Sequence, residues 1–396
     1  MNRIVVHPNR RFLQCEDGAP FFYLGDTAWE LFHRLTVEEA DFYLRRRADQ
    51  GFTVIQAVVL AEIDGLSVPN PNGDLPLHDL DPSRPNEPYF AHVDGIVRRA
   101  NELGLVIAML PTWADKVNRM WGGGPEIFDE ANARLYGQFL GDRYRDADLI
   151  WVLGGNREVE NERVRRIWRA MAEGLGNEHL RTFHPMGNHS SAEWVHDEPW
   201  LDFNMIQSGH GGRNLPNHEM IAADYSRTPV KPCMEAESAY EDHPVNWNPE
   251  KEGWFSEIEV RRPAYASVFA GGHGVTYGCH DVWQMWQPGR TPIAWARTPW
   301  REALGLPVAS QMGHLKELML SRPFFSRVPL PGSLFTTGDE SYSLTYFPGG
   351  VSAGVDSEGK RTALWFDPRT GDSRPTEIVD EFTPPDENDW VLILDR

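Results

Sequence analysis

The sequence predicts an α/β fold: a (β/α)8 barrel of the TIM type over residues 1–322, followed by a small all-β sandwich over 323–396. Three observations carry this prediction. Eight short apolar runs recur before the chain changes character. The links between them are lopsided, terse from helix to strand and long from strand to helix. Beyond residue 322 helical patterning stops, and strand-like stretches separated by turn residues take over.

The runs are Phe21–Gly25, Phe52–Leu60, Leu105–Leu110, Leu149–Leu153, Leu180–Pro185, Phe203–Gln207, Val230–Ala236 and Gly274–Gly278. They lack strict alternation, as strands buried on both faces do. Helical patterns fall between them. Thr36-Val37-Glu38-Glu39 reads as a capping box, Val37, Ala40, Leu44 and Ala48 continue at helical spacing, and Gly51 ends the helix. Val93, Ile96, Val97 and Ala100 repeat the spacing ahead of Gly104, and Val164, Ile167, Trp168 and Met171 repeat it again. The signal is weaker over Tyr136–Tyr144 and Ala264–Ala270, where Pro263 must start or kink the helix. Single glycines separate helix from strand at Gly51 and Gly104, whereas Ala61–Tyr89, Pro111–Phe128 and Ser238–Trp254 are long strand-to-helix links. Elaborate loops at one end of eight strands describe a barrel whose active face lies at the strand C-termini. The rival, a doubly wound open sheet, lacks its Gly-x-Gly-x-x-Gly after the first strand. In the tail, Tyr342–Tyr346, Val351–Val355, Thr362–Phe366 and Trp390–Leu394 read as strands.

Lys plus Arg number 38 and Asp plus Glu 58, a net charge of −20. A surface that acidic repels phosphate backbones and anionic membranes, so neither nucleic acid nor membrane is an expected partner. No apolar run approaches the roughly 18 residues of a membrane span. The opening Met1–Pro8 does not read as a signal peptide, and Cys15, Cys233 and Cys279 make no disulfide framework. A reducing, cytoplasmic setting is therefore expected; oligomeric state is not legible.

On a barrel, polar residues at strand C-termini carry the chemistry. The carboxylates there are Asp26, Glu62, Asp64, Asp115, Glu158, Glu235, Glu237 and Asp281. Two carboxylates facing across a mouth are what glycoside hydrolysis requires, one protonating the leaving oxygen and one attacking or activating water. By strand period, Cys233, Glu235 and Glu237 share one face, opposite Met234 and Ala236. That face is expected to point inward, with both glutamates at the rim. His184, His189, His210, His273 and His280 cluster in the same zone, but without a metal-binding spacing, so no metal or cofactor is expected. No Gly-x-Ser-x-Gly elbow occurs, and Cys279 beside His280 reads as a buried barrel thiol. Of 15 tryptophans, Trp29, Trp113, Trp121, Trp247, Trp254, Trp283, Trp286 and Trp295 lie in or beside strand-to-helix loops. Loop aromatics on that face stack on flat ligands such as sugar rings, and some only seal the loops.

Tyr23-Leu24-Gly25-Asp26-Thr27-Ala28-Trp29, Trp151-Val152-Leu153-Gly154-Gly155-Asn156-Arg157, Gln207-Ser208-Gly209-His210, Glu237-Ser238-Ala239-Tyr240-Glu241 and Thr276–Trp283 resemble the apiosidase-like glycoside hydrolases. That family pairs a barrel with a C-terminal sandwich labelled collagen-binding, and Trp365-Phe366-Asp367-Pro368-Arg369-Thr370-Gly371 resembles the sandwich signature. The resemblance implies a retaining glycosidase with Glu237 as nucleophile. The family's acid/base after strand four is an Asp within Gly-Gly-Asp-Arg, and here Asn156 stands in its place. An amide does not donate and retrieve a proton at useful pKa, so Glu158, two residues on, is expected to take the role. Asp26, Trp29, Trp113, Asn156, His184, Gln207, His210, Glu235, Tyr240, Tyr277, His280 and Trp283 are expected to bind the sugar. The expectation is an exo-acting retaining glycosidase of carbohydrate substrates, a pentoside or another plant-polysaccharide glycoside. The departure at Asn156 keeps a second reading open, a non-catalytic carbohydrate-binding protein on the same scaffold. Collagen adhesion rests on the sandwich label alone.

Overall fold

The computed structural model describes residues 3–120, 123–332 and 334–396. Its centre is a curled sheet of β1 (Tyr23–Thr27), β2 (Val54–Leu60), β3 (Val106–Thr112), β4 (Leu149–Gly154), β5 (Arg181–His184), β6 (Asn204–Gln207), β7 (Cys233–Glu235) and β8 (Gly274–Tyr277). Their spatial order is β5-β4-β3-β2-β1-β8-β7-β6, all parallel. Inward residues, Tyr23, Val54, Val58, Ala108, Leu110, Val152, Met205, Met234 and Ala236 among them, form one apolar cluster. Their outward neighbours, such as Leu24, Ile55, Met109, Leu153 and Val275, join a second cluster under the helices. Burial on both faces explains the unbroken apolar runs in the sequence.

The helices are α1 (Val37–Asp49), α2 (Glu87–Glu102), α3 (Glu130–Arg143), α4 (Glu162–Leu175), α5 (Asn217–Tyr225), α6 (Glu257–Phe269) and α7 (Pro307–Leu320). The capping box of α1 forms as predicted, with Glu39 N–H on Thr36 Oγ1 at 3.2 Å and Thr36 N–H on the Glu39 carboxylate at 3.1 Å. Pro263 sits inside α6 rather than at its start. After β5 a single turn, Ala192–Val195, stands where a full helix would be.

That gap marks a departure from an ideal barrel. β5 and β6 share no ladder; Asp202 N–H on Arg181 O (2.8 Å) and Thr182 Oγ1 on Phe203 O (2.7 Å) close the joint instead. The strand His189–Ser190 then pairs antiparallel with β6 at its active-face end. At the opposite end, an unpredicted antiparallel unit of Ile4–Val6, Leu13–Cys15 and Pro20–Phe21 places Leu13 and Phe21 in the barrel's inner cluster. Among the described residues, no helix is long and apolar enough to cross a membrane.

The tail forms a six-stranded antiparallel sheet of β9 (Val328–Leu330), β10 (Phe335–Gly338), β11 (Tyr342–Phe347), β12 (Thr362–Phe366), β13 (Ser373–Thr376) and β14 (Trp390–Asp395). The order is β9-β10-β11-β14-β12-β13. Leu344, Tyr346, Val391 and Ile393 join the barrel's outer core, whereas Phe347, Trp365, Trp390 and Leu392 form a separate core on the opposite face. The strand expected over Val351–Val355 shrinks to Ala353–Gly354, paired with Glu381–Phe382, and Val351 is exposed. The last barrel helix ends at Leu320 and β9 begins at Val328, so the division drawn at residue 322 falls within the link.

Candidate active site

At the C-terminal ends of the strands one carboxylate is singled out by its partners. Glu237 lies two residues past β7 and is buried, with Oε1 3.0 Å from His210 Nε2 and Oε2 3.3 Å from His184 Nε2. Burial opposes its ionisation. The hydrogen bonds and charge of His184 and His210 outweigh that and hold its carboxyl down at about 2. His184 comes from the end of β5 and turns its Nδ1 to Pro185 O at 3.1 Å. His210 comes from the loop after β6. Its ring packs on Tyr240 at 4.4 Å, and Tyr240 reaches Thr27 Oγ1 at 3.4 Å. Trp29 packs on Trp113 (5.1 Å) and edge-on against His184 (5.4 Å). Both indoles are buried, so they build the floor of the site. Gly155 makes this possible: at φ +121°, a Cβ there would lie 2.8 Å from the Trp113 ring.

Glu235 corrects the expected register. Met234 and Ala236 belong to the inner cluster, and Cys233 packs outward on Ile221 of α5, so Glu235 points outward as well. Glu237 reaches the site because the chain leaves strand geometry after Glu235. Glu235 Oε1 accepts the N–H of Ser208 (3.2 Å) and of Glu237 itself (3.1 Å), and burial pushes its carboxyl up to about 7. It ties the ends of β6 and β7 together under the site.

Three other expected sugar ligands do other work. Asp26 faces α1, bound by Arg47 Nε at 2.6 Å and by the Tyr43 hydroxyl. Tyr277 points outward too, its hydroxyl on Glu241 at 2.5 Å. Residues alternate along β1 and β8, so the inward positions are those of Gly25, Thr27 and Thr276. His280 is buried with Nε2 on Ile293 O (3.1 Å) and Ala294 O (2.9 Å) and Nδ1 accepting from Trp283 Nε1 (3.3 Å). It pins a loop.

Asn156 and Glu158 follow β4. Asn156 is half-buried at φ +53°, and its side-chain Oδ1 has no hydrogen-bond partner among the described residues. Glu158 is half-buried, and its carboxylate has no hydrogen-bond or ion-pair partner among the described residues. Gln207 is buried, and its Oε1 has no hydrogen-bond partner among the described residues. Trp121 lies outside the described residues. Among the remaining carboxylates, Glu62 stands beside Trp113 with Arg157 Nη2 3.8 Å away. Burial and the charge of Asp115 push it up to about 7. Asp115 itself is paired to Lys116 at 2.8 Å.

Sequence reasoning missed His243. Its ring stacks on His210 at 4.4 Å and meets His280 edge-on at 4.4 Å, a buried column of three histidines beside Glu237. No motif marks it; only the loop's return onto the barrel mouth brings it there. Also missed was Glu30 with His33, hydrogen-bonded at 2.7 Å. With Asp64 these offer ligand atoms within 4.8 Å of one another, a set a metal could use. Arg34 meets both carboxylates, at 3.3 and 3.6 Å, and His33 Nε2 is on Val68 O, so the set already forms an ion-pair network.

Residues 7–326 match the family described as "Apiosidase-like, catalytic domain". The chain belongs to the apiosidase-like family. Membership places it among the glycoside hydrolases. Residues 332–395 match a second family, described as "Putative collagen-binding domain of a collagenase". A crystal structure of a glycoside hydrolase family 5 protein from Bacteroides vulgatus is 32% identical, with a TM-score of 0.91 over 99% of this chain and 92% of that one. Another solved structure, described as a glycoside hydrolase, is 32% identical with a TM-score of 0.91, covering 100% of this chain and 97% of the other. A glycoside hydrolase family 5 mannosidase from Rhizomucor miehei, 12% identical with a TM-score of 0.55 over 81% and 98%, shares the fold alone. No curated protein matches the chain.

Proposed function

We propose that this apiosidase-like protein is a retaining exo-glycosidase that removes a terminal pentofuranosyl residue, an apioside first among them, from a plant-derived glycoside. The observation that carries the proposal is Glu237, ionised at working pH between His184 and His210 over a floor of Trp29 and Trp113. An ionised, buried and oriented carboxylate is a nucleophile ready to attack an anomeric carbon. In the first step Glu237 Oε bonds to that carbon as the glycosidic C–O bond breaks, and the leaving oxygen takes a proton from the acid. In the second, the same residue, now a carboxylate, takes a proton from water, which displaces Glu237.

Glu158 is the proposed acid/base, the first carboxylate past the vacated position of Asn156. One observation favours an alternative: Glu62, held up to about 7 beside Trp113, is protonated at the pH where Glu237 is not. Carboxyls pushed apart in this way are the pattern of an acid and its nucleophile.

Leaving-group dependence separates these readings. Glu237→Gln is expected to abolish turnover of every substrate with the fold intact by circular dichroism. Removing the true acid by Glu158→Ala or Glu62→Ala lowers turnover of a poor leaving group by roughly 10²–10⁴-fold, spares a dinitrophenyl glycoside, and restores deglycosylation with azide. Equal loss on both substrates for a variant removes that residue from the role. No turnover of any dinitrophenyl pentoside by the unaltered protein would favour the non-catalytic binder.

A further inference from the structure

Of the loop tryptophans, Trp29 and Trp113 are buried, whereas two others are exposed. Among the described residues, the exposed tryptophans are Trp247, 48% exposed, and Trp295, 54% exposed. Both lie on the active-face loops, after β7 and after β8 respectively. Both also hold left-handed backbone, at φ +51° and +66°, a conformation a bulky residue adopts only when its surroundings impose it. A single exposed apolar residue is ordinary. Two indoles strained outward at one pocket mouth are not.

Their surroundings are stiff. Asp242 takes Arg297 Nε at 2.8 Å and the Thr298 hydroxyl at 2.8 Å, which staples the β7 loop to the β8 loop. Asp281 Oδ1 accepts the N–H of Arg297 (2.8 Å) and of Thr298 (3.0 Å), and Arg297 lies 3.5 Å over the Trp254 ring. The backbone on either side is anchored as well: Asn246 N–H reaches His210 O at 2.9 Å, and Ala294 O, next to Trp295, is held by His280.

The route from the two indoles to the nucleophile is short. The Trp247 ring meets His210 edge-on at 5.8 Å and His243 at 5.6 Å, and His210 holds Glu237 at 3.0 Å. Trp295 follows the carbonyl pinned by His280 at the far end of the same histidine column. Trp247 thus stands against the histidines that hold Glu237, and the backbone of Trp295 continues from the other end of that column.

We propose that Trp247 and Trp295 form a rigid aromatic platform for the leaving group, so the natural substrate carries a second sugar ring beyond the scissile bond. This rests on the glycosidase reading and deepens it. A pyranose or furanose face carries C–H groups that pack on an indole, and a platform already ordered loses little entropy on binding.

Two substrates with one glycone test the platform: β-D-apiofuranosyl fluoride, which places nothing beyond the bond, and the 4-methylumbelliferyl apiofuranoside, whose flat ring stands in for the second sugar. Trp247→Ala and Trp295→Ala are each expected to lower kcat/KM on the umbelliferyl glycoside about tenfold more than on the fluoride, equivalent to a single stacking contact. Trp247→Phe and Trp295→Phe, which keep a ring, are expected to recover most of the loss. Equal loss on both substrates, or none on either, overturns the platform. If the unaltered protein turns over neither compound, the glycosidase reading on apiosides fails separately. The platform is then decided by tryptophan fluorescence with millimolar arabinotriose, galactotriose and xylotriose. A blue shift or quench lost in both alanine variants supports it, and an unshifted spectrum with all three overturns it.

Discussion

Two glutamates two residues apart divide the work at the end of β7, and their partners decide which does what. Glu237 is gripped by two imidazoles, whereas Glu235 accepts two backbone N–H groups from the outward side. Glu235→Gln keeps the accepting oxygen and is expected to lower kcat only modestly, about tenfold at most. Glu235→Leu orphans both N–H groups and is expected to lower stability by roughly 2–4 kcal/mol in a denaturant titration. If Glu235→Gln proved inactive and Glu237→Gln active, the nucleophile would be the wrong glutamate. Glu237 was singled out through the resemblance carried by Glu237-Ser238-Ala239-Tyr240-Glu241, and its seat between two histidines came from the structure. The outward turn of Glu235 was not legible, since the period of two holds only while the chain remains a strand. Asp26 and Tyr277 were misjudged for the related reason that a sequence does not say which face of a doubly buried strand looks inward.

At the scale of elements, the histidine column joins three active-face loops, and its protonation state is a stability term. His280 is pushed down to about 4 by burial, with the nearby His210 adding to the effect. His243 is pushed far below the usual range by burial and by His210 and His280 beside it. A base whose folded pKa is depressed keeps its contribution above the unfolded value of about 6.5 and loses it as pH falls toward the folded one. Urea unfolding at pH 7 and pH 4.5 is therefore expected to show a loss, of which His280 accounts for about 3 kcal/mol at most. His280→Gln retains an N–H donor for Ile293 O and Ala294 O but does not titrate. It is expected to shrink the difference by His280's share while the share of His243 persists, and an unchanged difference would mean His280 does not contribute to it.

For the molecule as a whole, barrel and sandwich unfold together if their interface is as tight as it is buried. Arg261 of α6 and Asp389 of the tail are both buried, 2.6 Å apart, and Tyr346 donates its hydroxyl to the same carboxylate at 3.0 Å. Tyr265 stacks on Tyr346 at 4.9 Å beside them. Asp389→Ala leaves the buried Arg261 guanidinium with only Gln311 (2.7 Å) and Glu257 (3.4 Å), and is expected to destabilise by about 2–4 kcal/mol. Calorimetry is expected to show one transition at lower temperature, and two separated transitions would mean the domains fold independently.

The eight runs, their lopsided links and the all-β tail were readable from sequence, because strand burial, helix capping and turn chemistry are set within a few residues. So was the oddity of Asn156, where the resemblance led to an Asp being expected. Tertiary structure alone decided the side-chain joint between β5 and β6, the inner plug from the N-terminal strands, and the column that includes His243. It also separated the sealed tryptophans from Trp247 and Trp295. Those features depend on where each strand stops and which loop returns over the mouth. Both are outcomes of packing between residues far apart in the chain, and no local periodicity encodes them.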